Sequence, residues 1–195
     1  AKYISIAVMG EGGGSGGGSG TPLMGARIVD EKADNVSGGS SISGTQTRDL
    51  NTIEYDVDSI VTNLEANEFT LKEGAYRIIY SAPCYNTSTA VVYLLEDNIQ
   101  VSQGTSVMSN GSSTTSNNAN CTVSSTGVYE VVLTEPKTYK VEHYTERVNS
   151  VGLGVANDGN LKNIYTTVDI VPINGAVGGG SGGGSGWEET VLFEN

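Results

Sequence analysis

The sequence has no long apolar run and few basic residues. No stretch of 18 consecutive apolar residues occurs, so the sequence predicts no membrane-spanning helix. Ten Lys and Arg stand against 22 Asp and Glu, which gives a net charge of −12. Such a chain is poorly suited to phosphate backbones and anionic membranes, and we expect neither nucleic-acid binding nor membrane insertion. The first residues lack the basic and apolar regions of a secretory signal, and we expect no signal peptide.

Histidine and cysteine are scarce, which removes most catalytic and metal sites. His143, the only histidine, alternates with core-facing residues in "YKVEHYTE", and we interpret it as structural rather than as a general base. Cys84 and Cys121 are the only cysteines; no spacing of histidine and cysteine suits zinc. Both cysteines are predicted to be buried free thiols, because cysteine packs as a small hydrophobe.

Two other motifs resemble ligand sites without completing one. "DVDS" at 56–59 begins like a calcium loop, but Ile60 and Val61 stand where oxygen ligands and glycine should follow. The glycine-rich stretches lack the Gly-Lys-Ser/Thr ending of a phosphate-binding loop. The sequence therefore predicts no catalytic residue, no metal and no cofactor, and a protein that is not an enzyme.

Glycine, in contrast, is abundant and unevenly placed. "GGGSGGGSG" occurs twice, at 12–20 and at 178–186. The two tracts divide the chain into an N-terminal segment (1–11), a central domain (21–177) and a C-terminal segment (187–195). The central stretch is long enough for one domain with its own core.

The central domain predicts β-strands almost throughout. Tyr76, Ile78 and Tyr80 alternate in "AYRIIYSA", and "TAVVYLLED" is apolar on both faces, which indicates a strand covered on both sides. In "NIYTTVDIVPI" the alternation places four side chains inward, before Pro172 marks the end of the strand: Ile164, Thr166, Val168 and Ile170. Many short strands of this kind favour an all-β fold of two packed antiparallel sheets.

Five segments of the domain together resemble a known family. They are, in chain order, "TRDLNTI", "FTLKEGAYRIIYSAP", "YKVEHY", "GLGVAN" and "IYTTVDIVPI". These segments resemble the C1q/TNF-like jelly-roll modules of bacteriophage tail fibres and head fibres, over roughly residues 27–173. The most specific element is Gly74 before Ala75 and Tyr76, where only a small residue suits the turn into a buried strand. Cys84 departs from the pattern, since a small or apolar residue is usual there.

The resemblance implies a ten-stranded, two-sheet jelly roll whose first and last strands lie side by side. It also implies a homotrimer around a three-fold axis. The corresponding expectation for function is a non-enzymatic fibre or decoration protein on the virion surface, assembled in the host cytoplasm. Its partners would be a capsid or tail protein at the chain ends and a host-surface glycan or protein at the jelly roll.

The end segments carry short strand-like patterns, so we predict that they form the attachment region. Two explanations of the glycine tracts remain open. They are the paired strands of a native stalk, or flexible linkers of an engineered fusion that displays terminal peptides. The candidate attachment residues are Tyr3, Ile4, Ile6, Val8, Trp187, Val191, Leu192 and Phe193.

Three loops are the candidate recognition sites, because loops on a rigid β scaffold commonly carry binding. They are rich in Asn, Ser and Thr, which suits hydrogen bonding to a glycan, although the same composition is typical of any loop. Tyr85, beside the first loop, is the aromatic residue placed to stack on a sugar. The candidate residues are Tyr85, Asn86, Thr87, Ser88, Ser109, Asn110, Asn117, Asn118, Asn157, Asp158 and Asn160.

Overall fold

The computed structural model describes residues 25–109 and 122–173. The glycine tracts, both end segments, Cys121 and the candidate residues Asn110, Asn117 and Asn118 lie outside the described residues. Within those two ranges the chain forms strands and no helix, as predicted. The strands are β1 Ala26–Lys32, β2 Gly44–Thr47, β3 Thr52–Asp56, β4 Val61–Glu65, β5 Glu68–Leu71, β6 Gly74–Tyr85, β7 Ser88–Glu96, β8 Ile99–Gln103, β9 Val107–Ser109, β10 Thr122–Leu133, β11 Lys137–Thr145 and β12 Asn163–Pro172.

The strands form two antiparallel sheets. The five-stranded sheet has the order β10-β6-β12-β1-β3, and β1 pairs directly with β12. The seven-stranded sheet has the order β4-β5-β11-β7-β8, with β2 on β11 and β9 on β7. The first and last strands of the described domain are therefore neighbours, and the predicted two-sheet antiparallel jelly roll is confirmed.

The seven strands of the larger sheet lie in five rows, because two of the rows each contain two short strands end to end. β5 pairs with residues 137–140 of β11 and β2 with residues 142–145, along the edge of β11 that β7 leaves open. β8 and β9 share one edge of β7 in the same way. Two of the rows are thus interrupted strands, and the two sheets together have ten rows, the number of strands that the resemblance implies.

The core lies between the sheets and consists of alternate residues from both. β6 contributes Tyr76, Ile78 and Tyr80, as its alternation predicts, and these pack with a larger buried cluster. β7 lies in the middle of its sheet, and Val91 and Leu95 on its outer side are buried as well as Val92 and Leu94. This agrees with the prediction of a strand covered on both sides. Other members of the core are Ile28, Leu50, Phe69, Leu71, Tyr139, Val141, Val168 and Ile170.

The start of β6 shows why glycine is needed at residue 74. Gly74 has φ of +154°, and a side chain there would overlap the hydroxyl and ring of Tyr76. The Tyr76 hydroxyl donates to the carbonyl of Glu73 across this turn, at 3.1 Å. The turn and the buried ring occupy the same space, so only a residue without Cβ fits.

The alternation predicted for β12 is wrong at Ile164, which is 40% exposed. The register between β1 and β12 shifts there, because Val29 faces Thr167 and Glu31 faces Ile164. The extra residue in β12 is a β-bulge, and it makes Tyr165 and Thr166 both buried. A bulge shifts the alternation by one residue. Ile164, which lies before the bulge, therefore faces solvent, although the alternation of the residues after the bulge predicts that it faces the core.

The described domain has two distinct ends. Gly25 and Ile173 lie at one of them, where the Val57 amide donates to Gly25 and the Ile173 amide donates to Ala75. The segments 33–43, 86–88 and 146–162 lie at the other, which we call the distal end. The chain therefore enters and leaves at one end and presents its longer described loops at the opposite one.

Candidate recognition surfaces

The distal end brings two of the predicted recognition loops together. The amide of Tyr85 donates to Gly152 at 3.0 Å, and the amide of Arg147 donates to Thr87 at 3.1 Å. The amide of Asn35 donates in turn to Asn157 at 3.2 Å. The loop after β6, the loop after β11 and the loop after β1 thus form one continuous surface.

The structure corrects the prediction for Thr87, Ser88 and Ser109, because their side chains face the protein rather than solvent. Thr87 and Ser109 are fully buried, with their hydroxyls 3.1 Å apart, and the Ser109 hydroxyl also accepts from the Thr87 amide at 2.9 Å. The Ser88 hydroxyl donates to Glu146 at 2.6 Å. These residues hold the loops together, and their side chains are buried away from a ligand in solvent.

Asn149 and Ser41 organise this end of the molecule and were missed by the sequence analysis. The Asn149 side chain donates to the carbonyls of Tyr85 and Asn86, at 3.4 and 3.5 Å. The Ser41 hydroxyl donates to Arg147 at 2.8 Å and accepts from the Asn149 amide at 3.0 Å. Asn and Ser are also common in exposed loops, so their residue types alone do not predict that Asn149 and Ser41 hold this end of the molecule together.

The candidate residues that remain accessible lie around Tyr85 and residues 157–160. Tyr85 and Asn86 are half-buried, and Asn157, Asp158 and Asn160 are exposed. The Asn157 side chain accepts from the Gly159 amide at 3.1 Å, which fixes the tip of that loop. A binding role for these five residues stays a prediction.

Arg48 joins the distal end to both sheets. Its guanidinium donates to the Thr166 hydroxyl of β12 at 2.9 Å, to His143 Nδ1 of β11 at 3.5 Å and to the Leu153 carbonyl of the distal loop at 2.8 Å. Arg48 is 1% exposed, and burial lowers its pKa to about 10 despite the nearby carboxylates of Asp30 and Asp49. Burial of a charged group is costly unless the group is paired or hydrogen-bonded. The three hydrogen bonds of Arg48 offset this cost, and they connect β11, β12 and the distal loop through one side chain.

His143 is fully buried between the two sheets and cannot reach a substrate. Burial, and then the positive charge of Arg48, lower its pKa to about 3, so the ring is neutral at physiological pH. Nδ1 accepts from Arg48, and Nε2 has no hydrogen-bond partner among the described residues. This agrees with the interpretation of His143 as structural.

A second surface lies on the outer side of the five-stranded sheet. Val128 and Val132 of β10 and Val171 of β12 are 52%, 67% and 39% exposed, and half-buried Ile79 lies directly opposite Val128. We call Ile79, Val128, Val132 and Val171 the apolar face. It occupies the half of the sheet nearest the chain ends, whereas the distal half of β10 carries Thr122, Ser124 and Thr126.

The apolar face surrounds one ion pair. Arg77 lies opposite both Glu130 and Val171, and its guanidinium contacts the Glu130 carboxylate at 2.6 Å. Asp169, which lies opposite Ile79 on β12, also carries a charge beside the apolar face, and it contacts Arg27 at 3.4 Å. These charges each have a partner within the chain. In a sheet with one solvent-facing side, such outward positions are normally polar, so exposed valines on several sides of the Arg77–Glu130 ion pair are informative.

No protein-family model and no curated protein matches this chain. The solved structures similar to it include the globular domain of zebrafish complement 1qA protein, with a TM-score of 0.44 and 12% identity, over 76% of this chain and 97% of that chain. The fold assignment rests on the strand order and register described above.

The described residues contain neither a group of metal ligands nor a candidate membrane-spanning helix. Within 25–109 and 122–173, no three His, Cys, Asp or Glu side chains are grouped to hold a metal ion. The same ranges contain no helix of the length and apolar character that crossing a bilayer requires. Cys84 is buried on β6, in agreement with its predicted burial.

Replacing Arg48 by Ala is expected to lower the free energy of unfolding by about 3 kcal/mol or more, since the substitution leaves the Thr166 hydroxyl, His143 Nδ1 and the Leu153 carbonyl without their buried donor and opens a cavity. Urea unfolding followed by circular dichroism measures the change. Lys162→Ala is the matched control, because it removes an exposed ion pair with Glu31, away from the apolar face, worth about 1 kcal/mol or less. Equal losses in the two variants would contradict the role assigned to Arg48.

Stability is expected to fall in acid because His143 is buried in its neutral form. Its pKa is about 3 in the folded protein and 6.5 ordinarily, so below about pH 6.5 the unfolded chain binds the extra proton. The contribution of His143 to the free energy of unfolding is complete above pH 6.5. It is lost as the pH falls towards 3, and the free energy of unfolding then changes by up to about 1.4 kcal/mol per pH unit. Urea unfolding of the wild type and of His143→Gln, at several pH values in this range, measures it.

The two proteins must be compared because Asp30 acts in the opposite direction. Burial raises the pKa of the Asp30 carboxyl, which lies near Lys32, Asp49 and Arg48, and this favours the folded state in acid. The contribution of Asp30 cancels in the difference between wild type and His143→Gln. That difference should shrink steadily as the pH falls, and a constant difference would show that His143 does not titrate as described.

Proposed function

We propose that this chain is a non-enzymatic structural and recognition module that assembles into a homotrimer through the apolar face. The observation that carries the proposal is the cluster of exposed valines on the outer side of the five-stranded sheet. Exposed apolar surface rimmed by polar residues is typical of protein–protein contacts. The occupant we propose is a second copy of the same face in each neighbour, in agreement with the trimer that the family resemblance implies.

The location of the face supports this arrangement. It lies beside the end where the chain enters and leaves, so assembly through it brings the ends of three chains to one side of the trimer. The distal loops then point away from that side. The ion pair of Arg77 and Glu130 is already satisfied within the chain, which limits the cost of covering it.

We propose in addition a fibre or decoration role on the virion surface. The chain ends would attach to a capsid or tail protein, and the jelly roll would face outward to bind a host-surface glycan or protein. The separation between the chain ends and the distal loops supports this division of roles. The specific phage context has its support in the five sequence segments alone.

The identical glycine tracts support a second candidate, an engineered fusion in which the same module displays two terminal peptides. Hydrogen–deuterium exchange of the intact chain distinguishes the two, followed on peptides from 12–20 and 178–186. We expect slow exchange in both tracts, because a native stalk has hydrogen-bonded backbones. Complete exchange at the earliest time point would favour the fusion.

Light scattering coupled to gel filtration tests the assembly. We expect a mass three times that of the chain for the wild type, and a monomer for the double variant Val128→Asp with Val132→Asp, since each trimer would bury uncompensated charge. Val148→Asp is the matched control, because Val148 is 73% exposed at the distal end. A wild-type monomer, or a variant trimer, would refute the proposed interface.

A further inference from the structure

The seven-stranded sheet carries a pocket that the sequence analysis did not anticipate. It lies beside the tight turn between β7 and β8 and has a volume of about 230 Å³. We call it the turn pocket. It is lined by Glu68, Asp97, Asn98, Thr138, Tyr139 and Lys140.

The turn pocket is rigid because its turn is bonded to β11. Asp97 and Asn98 both have left-handed backbones, with φ of +47° and +69°, as a two-residue hairpin turn requires. The Asp97 amide donates to the Thr138 carbonyl at 2.8 Å. Its carboxylate accepts from the Thr138 amide at 3.3 Å and from Lys137 at 3.2 Å. A ligand would thus meet a site that is already formed, which reduces the entropy lost on binding.

Two polar side chains of the pocket have unused hydrogen-bonding capacity. Glu68 lies opposite Lys140 in the register of β5 and β11, but the Lys140 ammonium contacts Glu142 instead, at 3.3 Å. Across the described parts of the chain, neither the Glu68 carboxylate nor the Asn98 amide has a hydrogen-bond or ion-pair partner. The pocket therefore presents a free acceptor, a free amide and the remaining N–H groups of Lys140.

This set of groups suits a ligand with several hydroxyls. An anion would meet the unpaired Glu68 carboxylate, whereas the Lys140 ammonium, whose charge Glu142 already compensates at 3.3 Å, serves as a hydrogen-bond donor. A hydroxyl group both donates and accepts, so neighbouring hydroxyls can donate to Glu68 while accepting from Asn98 and Lys140. Hydrogen bonds of this kind to charged groups are the stronger ones.

We propose that the turn pocket binds one pyranose ring of a glycan, with Glu68 accepting from its hydroxyls and Asn98 and Lys140 donating to them. Half-buried Tyr93 lies on the same face, two residues from Leu95, which pairs with Lys140. Its ring offers a stacking surface for an adjoining sugar. This inference names a ligand class for the recognition role proposed above and rests on that role. It places the site on the seven-stranded sheet, at the chain-end side of the domain and not at the distal loops, and it does not depend on the trimer.

Backbone amide chemical shifts of the full chain test the site, with the methyl glycosides of glucose, galactose and mannose as probes. We expect at least one glycoside to produce saturable shifts at Asn98, Thr138 and Lys140. Glu68→Ala and Asn98→Gly should each weaken this binding about tenfold, since each removes a hydrogen bond to the ligand. Glycine at 98 keeps the left-handed turn. Glu73→Ala, an exposed carboxylate outside the pocket, should leave the affinity unchanged.

Several results would overturn the proposal. One is the absence of shifts at the pocket with all three glycosides; another is an affinity that both pocket variants leave unchanged. Shifts confined to residues 146–162 would place recognition at the distal loops, which refutes the turn pocket but supports the proposed function. Shifts at the pocket with ethylammonium chloride, and none with the glycosides, would identify a cation site instead. Light scattering on the same samples measures the oligomeric state, so a failure of the turn pocket is distinguished from a failure of the proposed trimer.

Discussion

The guanidinium of Arg48 is the point at which three parts of the molecule meet. One side chain donates to β11, to β12 and to the distal loop at Leu153, so it connects the two sheets to each other and to the surface above them. Its own backbone amide donates to Val141 of β11 at 2.8 Å. Because the charge has no access to water, the relative positions of these elements are restricted to those that satisfy it. The distal loops are consequently held by a buried interaction rather than by surface contacts alone.

The outward faces of the two sheets have different chemistry, and the alternation of strands makes this visible. The seven-stranded sheet buries even the outward residues Val91 and Leu95, and the groups that its central strands β7 and β11 leave accessible are largely polar. The five-stranded sheet leaves valines exposed in one half and hydroxyl residues in the other. If the five-stranded sheet is covered by neighbouring copies, the seven-stranded sheet stays accessible in all of them. Self-association and ligand recognition would then use opposite sides of the same core, without competition.

Strand alternation predicted most of the fold, because burial between two sheets imposes a period of two. The pattern holds in β6 and β11 and ends where predicted at Pro172. It was wrong at Ile164, since a β-bulge is not visible in the spacing of apolar residues. The burial of Arg48 was equally hidden, because arginine is ordinarily exposed and only the tertiary contacts identify its partners.

The recognition surfaces were harder to predict for a related reason. Thr87 and Ser109 have the composition of exposed loop residues, yet their hydroxyls satisfy each other inside the protein. The turn pocket is formed by residues from two separate strands, β5 and β11, and a turn, and each of these segments has an ordinary local sequence. A site of this kind depends on register between distant strands, which single-sequence patterns do not encode.

The placement of β1 beside β12 also determines how the domain responds to mechanical load. The two strands are antiparallel neighbours and both chain ends leave on the same side, so pulling those ends apart would strain the hydrogen bonds between them one after another. A force between the chain ends and a ligand on the distal loops acts along the strands instead, and strains many hydrogen bonds at once. The domain is therefore weak against peeling at its base and strong against tension along its length.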